Sequence, residues 1–91
     1  MKVTKTYKYG KQIVILQRGW VFVGDLSRVG HECELKNAAS IRNWGTTKGL
    51  GEIAEGGPTK DTKLDVCPVV RFHFLTMVGM IECNEKAWSK K

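Results

Sequence analysis

Twelve consecutive residues hold the densest set of ligand-binding groups in the chain: Ile41-Arg42-Asn43-Trp44-Gly45-Thr46-Thr47-Lys48-Gly49-Leu50-Gly51-Glu52. Gly45, Gly49 and Gly51 leave backbone N–H groups accessible, and a helix starting near Leu50 would add further unpaired donors and a favourable dipole. A phosphate could be held by the Gly45 and Gly49 amides and the Thr46 and Thr47 hydroxyls, with Lys48 and Arg42 supplying charge. Trp44 could stack on a base, and Arg42, two residues earlier on a strand, projects to the same face. The order departs from Gly-x-x-x-x-Gly-Lys-Ser/Thr, because Lys48 precedes Gly49 instead of following the last glycine. Nucleotide hydrolysis is therefore disfavoured. The same residues also make an ordinary turn, with Trp44 in the core and Thr47 as a cap.

Catalytic groups are sparse. His31 and His73 are the only histidines. His31 falls at a predicted hairpin tip, and His73 alternates with Phe72 and Phe74. A Cys-His pair between His73 and Cys83 or Cys33 is conceivable, but no residue orients the base. Glu52 and Glu55, three apart on one helix turn, could share a metal; solvated helix charges explain them as well. No Cys-x-x-Cys pair is present, so no structural zinc site is expected. The reading is of a non-enzymatic protein with no metal and no cofactor.

The elements that position these groups are mostly strands. Lys11–Gln17, Trp20–Leu26, Glu32–Lys36, Ala39–Trp44, Val69–Phe74 and Met77–Cys83 carry β-branched and aromatic residues between turn signals. Arg18-Gly19 could close a tight hairpin, Ser27–His31 forms the next turn, and Asn37 allows a bulge. Leu50, Ile53 and Ala54 share one face of a short helix that Thr46 or Thr47 can cap and Gly56-Gly57-Pro58 ends. Thr59–Asp65 reads as a loop. Trp20, Phe22, Phe72, Phe74 and Trp88 are expected in the core or at a subunit contact, with Ala87-Trp88 packing the C-terminus back. The fold class is mainly β, a β-rich α+β domain. It is a small bent antiparallel sheet or open barrel of five to six strands with one short helix.

With 91 residues, the chain is read as one domain over 12–88. Residues 1–11 are a basic tail or first strand, and 89–91 a basic tail. Seven of the fifteen Lys and Arg residues lie in 1–11 and 86–91, leaving eight against nine acids in 12–85, a net of −1. A dedicated nucleic-acid binder usually carries charge on its folded face, so basic tails favour at most salt-sensitive, non-specific contact. Three widely spaced cysteines and no apolar leader point to reduced thiols and the cytoplasm. No run approaches the roughly 18–20 apolar residues of a membrane span. Segments 13–16, 20–23 and 77–81 are apolar on both faces, which predicts a homo-oligomer.

The motifs Leu35-Lys36-Asn37-Ala38, Ile41–Gly45, Gly49–Ala54 and Gly57-Pro58, with the earlier Val21–Leu26, resemble a family of small, mostly uncharacterised bacteriophage proteins. The resemblance covers roughly residues 12–88. It implies a viral origin, a compact β-rich fold and the cytoplasm of a host cell, with no settled activity. By analogy with phage proteins of this size, the expected role is anti-defence. The leading form is sequestration of a small phosphorylated ligand, such as a cyclic nucleotide signal, at Arg42, Trp44, Gly45, Thr46, Thr47, Lys48 and Gly49. The alternatives are a protein-binding inhibitor of a host defence protein, or a virion accessory protein, using an apolar sheet face. A third is nucleic-acid binding through the tails.

Overall fold

The computed structural model describes residues 5–43 and 49–89. Six strands form one antiparallel sheet: β1 (Thr6–Leu16), β2 (Val21–Val29), β3 (Glu32–Asn43), β4 (Lys63–Val66), β5 (Val70–His73) and β6 (Met77–Glu82). Helix α1 (Leu50–Gly56) follows β3, and a second helix, α2 (Glu85–Ser89), ends the described chain. The order across the sheet is β4-β3-β2-β1-β6, with β5 beside the first half of β3 and β4 beside its second half. The sheet is not closed, in keeping with the expected bent sheet or open barrel.

One short connection dictates the bend. Only Phe74–Thr76, a 3-10 turn, separates β5 at one edge from β6 at the other. His73 lies level with Glu32 and, through Val29, with Thr6, whereas Met77 lies level with Leu16. On a flat sheet these points would be about 35–40 Å apart, from four strand spacings and the length of β1. Four residue steps reach about 14 Å at most. The sheet must therefore roll, and it rolls where its ladders slip: between Lys8 and Gly10 in β1, and between Val23 and Asp25 opposite Asn37. Asn37 takes φ of 52° there, as its position suggested, and its Nδ2 donates to Asp25 Oδ2 at 2.9 Å.

Rolling gives the sheet two cores. On one face Ile13, Val23, Ile41, Leu50, Ile53, Cys83 and Trp88 pack under both helices. On the other, Val14, Leu26, Cys33, Leu35 and Ala38 pack with Phe22, Phe72, Phe74 and Met77. Ile13 and Val14 are neighbours on opposite faces, and both are fully buried. The two-sided apolar pattern of β1 is thus satisfied within one chain and does not by itself call for a partner. On β6 it is not satisfied: Val78 is 69% exposed and Met80 39%.

Several local expectations change. The β1–β2 link is Gln17–Trp20, longer than Arg18-Gly19, and both Arg18 and Gly19 have positive φ. The next turn is Gly30-His31 alone, because β2 continues to Val29. Lys63–Val66, read as the end of a loop, pairs with Ala39–Asn43, since the open edge of β3 offers hydrogen bonds to even a polar segment. The N-terminal segment is strand from Thr6 onward. Helix α1 buries Leu50, Ile53 and Ala54 as expected, but its N-cap is Gly49, not a threonine. The additional helix α2 is tied down by Trp88, whose Nε1 donates to Ala54 O at 3.3 Å. Trp20 is 59% exposed and stacks on Phe22 instead of entering the core.

Gly24 sits at the slip in the β2–β3 ladder. A Cβ there would lie 2.8 Å from Lys36 O and 2.9 Å from Leu35 Cγ. Because a backbone carbonyl yields little, Gly24→Ala is expected to cost about 1–3 kcal/mol of stability. A lowered urea midpoint, with unchanged far-ultraviolet circular dichroism before unfolding, checks this.

Candidate functional site

Of the seven residues expected to hold a ligand, Trp44, Gly45, Thr46, Thr47 and Lys48 lie outside the described residues. Arg42 and Gly49 flank them. Asn43 pairs with Lys63, and Leu50 is buried. Arg42 is already engaged: Nε lies 3.0 Å from Asp65 Oδ2, and Nη2 donates to Asp65 Oδ1 at 3.2 Å. This forked pair is largely exposed, worth about 0–1 kcal/mol, and an incoming anion would have to compete with it. Gly49 has φ of 84°, a conformation that favours glycine, and its carbonyl accepts from Glu52 N. The shallow cleft beside α1 is lined by Gly51, Ala54, Glu55, Ile81, Glu82 and Asn84. Its carboxylates disfavour an anion on that side.

The conceivable Cys-His pairs fail on geometry. Cys33 lies opposite Phe72, and His73 opposite Glu32, so Cys33 and His73 project to opposite faces of the sheet. Cys83 belongs to the core beneath the helices, whereas His73 is exposed. Burial pushes the Cys83 thiol from 9.0 up to about 11, with Lys11 opposing the shift in part. Burial also raises Cys33, against the pull of Arg28. Both thiols stay protonated at neutral pH and are poor nucleophiles. Nothing in the pattern of residues indicates that the two histidines meet, yet their rings stack at 5.1 Å. Leu75 N donates to His73 Nδ1 at 3.0 Å, which fixes that nitrogen as an acceptor.

A different cluster is assembled at the far end of the roll. Tyr7, Arg28, Cys33 and Phe72 are cross-strand neighbours in one row and share a face. Phe74, just past β5, folds over that row. The Arg28 guanidinium carbon lies 4.0 Å from the Phe74 ring centre and 4.8 Å from that of Tyr7, and Lys5 Nζ approaches the same tyrosine at 5.4 Å. Arg28 Nε is buried without a hydrogen-bond partner. Such a group ordinarily costs about 1–3 kcal/mol. Two ring contacts, each worth about 0.5–2 kcal/mol, offset part of that. Sequence reading placed Arg28 in a turn. Continued alternation from Leu26 would have placed it on the inner face.

The thiols yield a pH prediction. A raised folded-state value means that stability is complete below pH 9 and is lost as pH rises towards about 11, because the unfolded thiol ionises first. Urea unfolding at about pH 8 and about pH 10 should show this loss in the native chain and a smaller one in Cys83→Ala. Alkylation at about pH 8 should modify half-buried Cys67 before Cys33 or Cys83.

No curated protein and no solved structure matches the chain. A family does: the match runs over residues 10–91, which takes in all six strands in whole or part and both helices. The chain belongs to the family described as the domain of unknown function DUF6948.

Proposed function

We propose that the chain is a non-enzymatic binding protein of phage origin that works as a homo-oligomer joined through the outer edge of β6. The observation that carries this is the character of that edge. Met77-Val78-Gly79-Met80-Ile81 has no charged residue, whereas β4 carries Lys63 and Asp65 and β5 carries Arg71. Charges on an edge strand discourage pairing with another chain, and β6 lacks them until Glu82. Among the described residues β6 pairs only with β1.

A second copy suits this edge. Antiparallel pairing about a two-fold axis at Gly79 sets Val78 against Met80 of the other copy and Met77 against Ile81. Glu82 then meets Thr76, so no like charges oppose each other. Exposed Leu75 and Trp20 lie near the same end of β1, adding apolar surface.

What the assembly binds has a second reading, favoured by the acceptor-free Arg28: a small phosphorylated ligand, with a cyclic nucleotide of the host as the leading class. Sequestration needs tight binding and no turnover. It suits a cytoplasmic phage protein directed against host defence.

Light scattering at micromolar concentration should give a multiple of the 10.2 kDa chain mass. Val78→Lys and Met80→Lys should yield folded monomers, because an edge lysine opposes strand pairing while leaving the core intact. A monomeric native chain would overturn the homo-oligomer and leave the edge to a foreign strand, as in an inhibitor that blocks another protein.

A further inference from the structure

We infer that Arg28, packed against the rings of Phe74 and Tyr7, is an oxyanion-binding residue that receives the phosphate of a small phosphorylated ligand. This rests on the second reading above and moves its site away from the segment around Trp44.

The geometry of the guanidinium carries the argument. Its central carbon lies 4.0 and 4.8 Å from two ring centres, and rings cannot accept the in-plane N–H hydrogen bonds that an oxyanion accepts. A fork of N–H donors in one plane matches two oxygens of a phosphate, which a point-charge ammonium does not. None of the described residues accepts a hydrogen bond from Arg28 or forms an ion pair with it. The contrast with the other strand arginines is direct: Arg42 holds Asp65, and Arg71 holds Glu34 at 3.0 Å. Nε is its only buried unpartnered nitrogen, which leaves the terminal nitrogens as the ones in touch with solvent.

Local electrostatics favour an anion there. Glu32 and Glu34 are close in sequence to Cys33, the cross-strand neighbour of Arg28, but alternation sends both to the opposite face of β3. Lys5, 5.4 Å from the centre of the Tyr7 ring, adds a second cation near that ring. The rings also hold the guanidinium in place before a ligand arrives, so less side-chain freedom is lost on binding. Position matters as well: Phe74 begins the turn that joins the two sheet edges, and its N–H donates to His31 O at 2.6 Å. The Phe74 contact therefore rests on the most constrained connection in the fold.

The test is calorimetric titration of the full chain with a cyclic dinucleotide and, separately, with inorganic phosphate. Arg28→Gln should weaken binding about tenfold or more, as expected for losing a charge-assisted hydrogen bond. Arg28→Lys should restore little of it, because the fork is absent, and Lys48→Ala should bind like the native chain. Should Arg28→Gln fail to fold, the Arg28 Nε–H resonance of the native chain serves instead, and it should shift on adding either probe. Native binding that survives Arg28→Gln, or that leaves this resonance unmoved, overturns the site while the phosphorylated-ligand reading stands. A native chain that binds neither probe removes the reading itself.

Discussion

The structure depends on a covalent constraint: three residues must bridge two edges of a five-strand span. Phe74–Thr76 can do so only if the sheet is rolled until the start of β3 and the end of β1 approach each other. Everything else adapts to that geometry. The ladders slip near Gly10 and Asn37, Gly24 gives up its side chain to let β3 come close, and the inner face closes over Leu26, Leu35 and Val14. A chain of this size buries a modest share of its surface in any fold. Filling both faces of one sheet is how it gains enough apolar contact without a second layer of strands.

The roll also decides which groups remain available for binding. It directs Arg28 inward against aromatic rings while Arg42 and Arg71, on outward-facing positions, find carboxylates. It shields both faces of β1 and leaves β6 with an uncharged outer edge. The two surfaces proposed here, a strand edge and a ring-packed guanidinium, are thus two results of one bend. They draw on different residues and can fail separately.

Sequence patterns revealed much of this and missed the rest for identifiable reasons. Strands β1, β2, β5 and β6 were legible because β-branched runs sit between clear breakers, and α1 because Leu50, Ile53 and Ala54 recur at helical spacing. Strand β4 was not, since the alternation of Lys63-Leu64-Asp65-Val66 lasts only four residues in a polar run, and the strand forms by pairing with β3. Helix α2 is a single turn held by one tryptophan, too short for periodicity to register. The expected site consists of residue types that bind phosphate in many settings; of its members, Arg42 is paired with a residue 23 positions away. Arg28 gave no signal, because its significance comes from Phe74 folding back over it, a contact between residues 46 apart. The stacking of His31 on His73 is hidden in the same way.

The pairing of β1 with β6 has a consequence for how the protein is made. The first strand to leave the ribosome finds one of its two neighbours only among residues 77–82. Until those emerge, Ile13 and its flanking residues have an open edge, and β2 and β3 can form only a meander with half its inner face uncovered. Contacts between distant parts of a chain are slow to form, since the intervening loop must close first. Folding of this domain therefore waits until residues 77–82 have been made. The incomplete chain passes through a stage in which the same kind of apolar edge that we propose for assembly is presented by β1 before it is presented by β6.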